Sequence, residues 1–309
     1  MTEKAFEMGY TLNDLIDLYR TDPDSSFRNL QYQVRVKQDR VLKRLGNEHG
    51  KHQLRSIKQR TLLEWHKAWS SGGKIAAANE LIARLRALFR FGFTLLEDRE
   101  CQRLLEILRE SRFRSLGPRH VQLTAEHVRA IRAVARDHFG WYSLALAQAL
   151  QFELMLSQKD VIGEWVPVSE PGESNVAHDG LKWLRGLRWS NIDKNLILRH
   201  AVGSGRRPIE VDLKTAPMVL EEFEAYGADK ADLPRRGPII ICDTTGVPWS
   251  TAEFRRKWRL VARKAGVPDI VKNRDSVPTG AIIGGPERAR ISQPVHLARI
   301  NHHLRTRRR

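Results

Sequence analysis

The chain has 309 residues, 41% hydrophobic and 29% charged, which is long enough for two domains with a core each and too apolar for a disordered polymer. Lys and Arg number 53 against 36 Asp and Glu; the net charge of +17 points to a polyanionic partner, because neutralised phosphates release counterions. No apolar run approaches the roughly 20 residues of a membrane span, the start MTEKAFEMGYTLNDL has no secretory h-region, and Cys101 and Cys242 lack the paired spacing of a zinc motif. A cytoplasmic protein is expected, with no membrane partner, metal or cofactor.

The first ~115 residues show helical periods and no strand alternation. Thr11 caps a helix through TLNDLIDLYR, with Asp14 three residues on, and Asp22-Pro23-Asp24 breaks it. A second helix is predicted in SFRNLQYQVRVKQDRVLKRL, ending at Gly46, and a third in RSIKQRTLLEWHKAWSSGG, stopped by Gly72-Gly73. The fourth, KIAAANELIARLRALFRFGFTLLED, repeats Leu81, Ile82, Leu85, Leu88, Phe89 and Leu96 at helical spacing. Residues 28–60 hold ten Lys or Arg against Asp39 and Glu48, a pattern that fits either a face laid on a nucleic-acid backbone or a solvated helix surface. Lys51, Arg55, Lys58 and Arg60, with Arg84 and Arg86 of the fourth helix, are the candidate phosphate contacts.

Gly117-Pro118, in a stretch without apolar period, marks a linker over 113–122 between a helical unit at 8–112 and a second unit at 123–285. Thr124 caps the helix in LTAEHVRAIRAVARDHF, and YSLALAQALQFELML is a long apolar helix. The stretch EWVPVSEPGESNVAHDGLKWLRG, at 164–186, reads as an inserted surface loop. GLRWSNID, NLILRHAV and RPIEVDL read as short strands, the last two joined as a hairpin through VGSGRR, and GPIIICDTTG as a further short strand. STAEFRRKWRLVARKAGV is a helix capped by Ser250 and closed at Gly266. The eight tryptophans suit core packing better than base stacking.

This order resembles the tyrosine recombinases, the phage-integrase family. GLRWSNIDKNLILRH is similar to the segment that leads into the family's sheet, and LMLSQKDVIG resembles its Thr-Gly-Leu-Arg-x-x-Glu turn, with Asp160 in the acidic position. TAEFRRKWRLVARKAGV resembles the helix before its His-x-x-Arg motif. The resemblance runs from about residue 8 to about residue 283. It implies a mainly α fold: a helical core-binding bundle (SAM-like), then a mostly helical catalytic domain with a small antiparallel β-sheet. It also implies binding of double-stranded DNA, association with other protomers, and cofactor-free strand exchange through a phosphotyrosyl intermediate. By the same likeness the chain comes from a bacterial mobile element and works at the nucleoid.

In the family two arginines stabilise the charge on the phosphate, a lysine on the hairpin protonates the leaving oxygen, a histidine assists and a C-terminal tyrosine attacks. Aligned by the resemblance, the first arginine position is Ser157 and the second is Val277, with Arg274 three positions early. The hairpin turn offers Arg206 and Arg207 in place of a lysine; they can stabilise charge but are poor proton donors. The tyrosines are Tyr10, Tyr19, Tyr32, Tyr142 and Tyr226, and none follows Tyr226. His296 and Arg299 spell His-x-x-Arg, but His296 lies 30 residues beyond Gly266 and only ten residues follow Arg299. Residues 286–309, with seven arginines and one acid, read as a basic, poorly ordered tail foreign to the family pattern. The expectation is a DNA-binding relative of the integrases with an impaired catalytic set. The alternatives are an active integrase using displaced residues, or a basic RNA-binding or ribosome-associated helical protein.

Overall fold

A computed structural model describes residues 9–117, 121–203, 205–225 and 236–277. The chain divides into two compact units, Met1–Arg119 and His120–Arg309. None of the described helices is long and apolar enough to cross a membrane.

The first unit is wholly helical: α1 (Leu12–Thr21), α2 (Tyr32–His49), α3 (Gln59–Trp69), α4 (Ile75–Leu95) and α5 (Arg99–Glu110). Thr11 and Asp14 close a reciprocal capping box at α1, as their spacing predicts. Helix α2 starts later than expected and runs through Gly46 to His49. A Cβ at Gly46 would come 2.8 Å from Asn13 Oδ1, so this glycine serves the close approach of α1 and not a helix end. Helix α5, which the sequence reading did not single out, is capped by Asp98, whose Oδ1 accepts from Cys101 N at 2.7 Å. Leu12, Leu15, Leu42, Leu45, Leu85, Phe89, Cys101 and Leu104 form the fully buried heart of this core.

The second unit begins with α6 (Ala125–Ala133), capped by Thr124 and continued by a wider turn at Val134–His138, followed by α7 (Tyr142–Glu153), every residue of which is buried except Tyr142. After α8 (Gln158–Ile162), the stretch expected to be a surface loop is a small antiparallel sheet of β1 (Glu164–Pro167), β2 (Ala177–His178) and β3 (Leu181–Leu184), in the order β1-β3-β2. Its anchor is Trp183, fully buried, with Nε1 donating to Ile162 O at 2.8 Å. A second sheet is the expected hairpin of β4 (Ile197–Val202) and β5 (Arg207–Asp212), with His200 opposite Ile209. GLRWSNID is not a strand: a single helical turn at Trp189–Asn191 buries Trp189. GPIIICDTTG makes only isolated bridges, Arg188 with Pro238 and Ile241 with Pro248. Helices α9 (Pro217–Ala225) and α10 (Thr251–Lys264) complete the described part, α10 capped by Ser250 as predicted. In α6, Arg132 donates to Glu222 at 2.6 Å and to Glu221 at 2.6 Å, and Arg136 also reaches Glu222; this pins α9 through a carboxylate with no exposure at all.

Candidate nucleic-acid interface

Segment 51–60 joins α2 to α3 with alternating fates for its side chains. Leu54 and Ile57 are buried, 1% and 0% exposed, and they tie the segment to the core. Its backbone is held from two sides. Leu54 N donates to Tyr10 O and Leu12 N to His52 O, at 2.9 and 3.0 Å, while Arg103 Nη2 of α5 donates to Leu54 O and Ile57 O at 3.1 and 3.0 Å. Lys51, Arg55, Lys58 and Arg60 are all exposed and have no ion-pair partner among the described residues. Lys58 and Arg60 flank the first turn of α3, where unpaired backbone N–H groups favour an anion.

The cations of α2 differ. Arg44 pairs with Glu48 at 2.7 Å, Lys43 with Asp39 at 2.9 Å, and Lys37 with Glu80 of α4 at 2.6 Å; Asp39 also takes Arg20 at 2.9 Å. Lys37, Lys43 and Arg44 are therefore neutralised locally, whereas, among the described residues, none of the four cations of segment 51–60 is. Arg84 and Arg86 stand on another element, α4. Arg86 donates to Leu108 O at 3.1 Å with its guanidinium over the Phe113 ring, so it packs the end of α5. Arg84 is half-buried, its Nε shielded and without a hydrogen-bond partner.

In the second unit, Ser157, the expected first arginine position, is a helix cap. Ser157 Oγ accepts from Asp160 N at 3.2 Å and donates to Asp160 Oδ2 at 2.7 Å. The other carboxylate oxygen, Oδ1, accepts from Gly203 N at 3.0 Å, which joins α8 to the turn of β4 and β5. Arg206 in that turn is exposed and Arg207 half-buried. Two residues that sequence reasoning passed over meet there. Arg185, at the end of β3, donates from Nη2 to Gly203 O at 2.7 Å and from Nη1 to Glu164 Oε1 at 3.3 Å. His200 of β4 is 8% exposed, and burial, aided by Arg206 and Arg185 against the pull of Asp160, pushes its pKa down to about 4. Nothing in the letters alone marks either as part of a site. Arg185 follows an apparent loop, and His200 is one of three polar residues in NLILRH.

Val277 is half-buried and follows Ser276, whose Oγ accepts from Gln148 Nε2 at 3.1 Å and donates to Asn273 O at 2.7 Å; Gln148 in turn accepts from Trp258 Nε1 at 2.6 Å. This neutral network lies beside Val277, the expected second arginine position; Arg274 is exposed. Tyr226, His296, Arg299 and the 286–309 tail lie outside the described residues.

No protein-family description matches the chain, and no curated protein does. Solved structures do. A lambda integrase dimer bound to a COC' core site matches at 15% identity with a TM-score of 0.63, over 89% of this chain and 70% of that one. Lambda integrase residues 75–356 bound to DNA match at 14% identity and a TM-score of 0.61, over 88% of this chain and 85% of that one. The Tn1549 transposon integrase in complex with transposon right end DNA matches at 12% identity and a TM-score of 0.57, over 88% and 85%. The chain has the fold of the tyrosine-recombinase integrases, mainly α with small antiparallel sheets.

Proposed function

We propose that this chain is a DNA-binding member of the tyrosine-recombinase family with an impaired catalytic set. Its 8–112 part is read as a core-binding domain, 113–122 as a linker and 123–285 as a catalytic-type domain. Duplex DNA and further protomers are the partners that go with this reading, and a bacterial mobile element and its nucleoid are the setting. The observation that carries it is the row of unneutralised cations, Lys51, Arg55, Lys58 and Arg60, on a backbone clamped from two sides, in a fold shared with integrases solved on DNA. Exposed cations on a held backbone can neutralise phosphates without reading sequence. The impairment rests on Ser157 and Val277 standing where guanidinium groups are expected.

The test is duplex binding across a salt series. Replacing Arg55, Lys58 and Arg60 with Ala should reduce the slope of log affinity against log salt by roughly 2 to 3, close to 0.9 per lost phosphate contact. An unchanged slope would remove segment 51–60 from the interface, and tighter binding to structured RNA than to duplex DNA at matched salt would overturn the choice of partner.

A further inference from the structure

The inserted sheet, to which the recombinase reading assigns no task, delivers one side chain into the site. Asp160 and Glu164 are both nearly fully buried, 1% and 4% exposed, and a pair of carboxylates so placed needs cations and hydrogen-bond donors. Lys159 supplies one, 2.8 Å from Glu164 Oε2. The second is Arg185, whose planar fork spans Glu164 Oε1 and Gly203 O and lies 3.9 Å from Asp160 Oδ1. Arg185 reaches this place in a left-handed backbone conformation, φ 74°, which a non-glycine residue adopts only where its surroundings enforce it.

The consequence falls on Gly203. Its N–H is held by Asp160 and its carbonyl by Arg185, so both polar groups of one turn residue are tied to the same buried cluster. Three residues on stands the exposed Arg206. We propose that Arg185, brought in by the inserted sheet, acts as a positioning residue, fixing the β4–β5 turn and with it Arg206 as a phosphate contact. The cation is thereby used to hold the turn instead of touching the phosphate itself, since Glu164 and Asp160 already face it.

Hydrogen exchange read by mass spectrometry on the full chain tests the clamp without DNA. Arg185→Ala should speed exchange in peptides covering 198–207 by about tenfold or more while leaving α7 and α10 protected. Arg185→Lys, which keeps the charge but has no fork to span two acceptors, should give a smaller increase confined to the same peptides; it keeps the test open if the Ala variant fails to fold. Unchanged exchange at 198–207, or an increase spread evenly over the whole second unit, would overturn the proposal. The phosphate role rests on the proposed function and has its own arm. Arg206→Ala should flatten the salt slope by about 0.9 in the otherwise native chain and have no further effect on top of Arg185→Ala. A silent Arg206→Ala in a chain that binds DNA would overturn the turn as a contact, whereas absence of any DNA binding would overturn the proposed function and leave the clamp to the exchange result.

Discussion

His200 shows how strongly one position can be set by what surrounds it. On β4 it alternates with Leu198 and Val202, the two core-facing residues that flank it, so the strand period puts an imidazole where an aliphatic side chain would normally sit. Burial is the largest cause of its low pKa, and Arg206 and Arg185 add to it. Between the ordinary histidine value of 6.5 and about 4, the unfolded chain binds a proton that the folded chain refuses. Stability is therefore complete above pH 6.5 and declines as pH falls through that window, by an amount on the order of 3 kcal/mol at its lower end. His200→Gln removes the titration, so between pH 6.5 and 5 its thermal midpoint should fall less than that of the native chain. Parallel declines in the two proteins would show that His200 ionises in the folded state without penalty.

At the scale of elements, the inserted sheet is joined to α8 by a contact that leaves no room. A Cβ at Gly186 would meet Trp183 Cζ2 and lie 2.6 Å from Gly163 N, and neither backbone nor a fully buried indole can move aside cheaply. Gly186→Ala should cost about 1–3 kcal/mol, the range for overpacking, measured by denaturant unfolding of the second unit. A native midpoint in that variant would mean the sheet is loosely attached. This sheet is also where the sequence was hardest to read. Its strands are two to four residues long, too short for alternation to register, and Pro167, Pro171 and Gly172 carry the signature of a loop. Caps were legible because the signal is local: Thr11, Thr124 and Ser250 each accept from the backbone N–H three residues on, as their spacing predicts. The candidate site was legible only in part. The charge of segment 51–60 is visible in the letters, but its lack of partners depends on Asp39, Glu48 and Glu80 engaging other cations, which is a tertiary fact. Arg185 was illegible for the same reason, since its partners lie 18 to 25 residues away.

For the molecule as a whole, the question is whether a recombinase fold with Ser157 and Val277 at the expected arginine positions can cut DNA. Attack by a tyrosine needs a nucleophile at the phosphate and fixed positive charge for the oxygens that become more negative in the transition state. In the described residues, Ser157 is engaged as a helix cap on Asp160, and Ser276, just before Val277, is bonded to Gln148 and Asn273. Arg185, the guanidinium nearest Asp160, already faces two carboxylates. Of the described tyrosines, Tyr10, Tyr19 and Tyr32 belong to the first unit and Tyr142 opens α7, 40% exposed. Incubated with a nicked suicide duplex that traps a cleaved strand, the chain should give no covalent adduct that survives denaturing electrophoresis, even under conditions where it binds that duplex. Ser157→Arg alone should not restore one. It would add a cation with loss of the cap, and a charge stabiliser accelerates nothing unless an attacking group is in place. A denaturation-resistant band from the native chain would refute the impairment, and its loss in either Tyr142→Phe or Tyr226→Phe would identify the nucleophile.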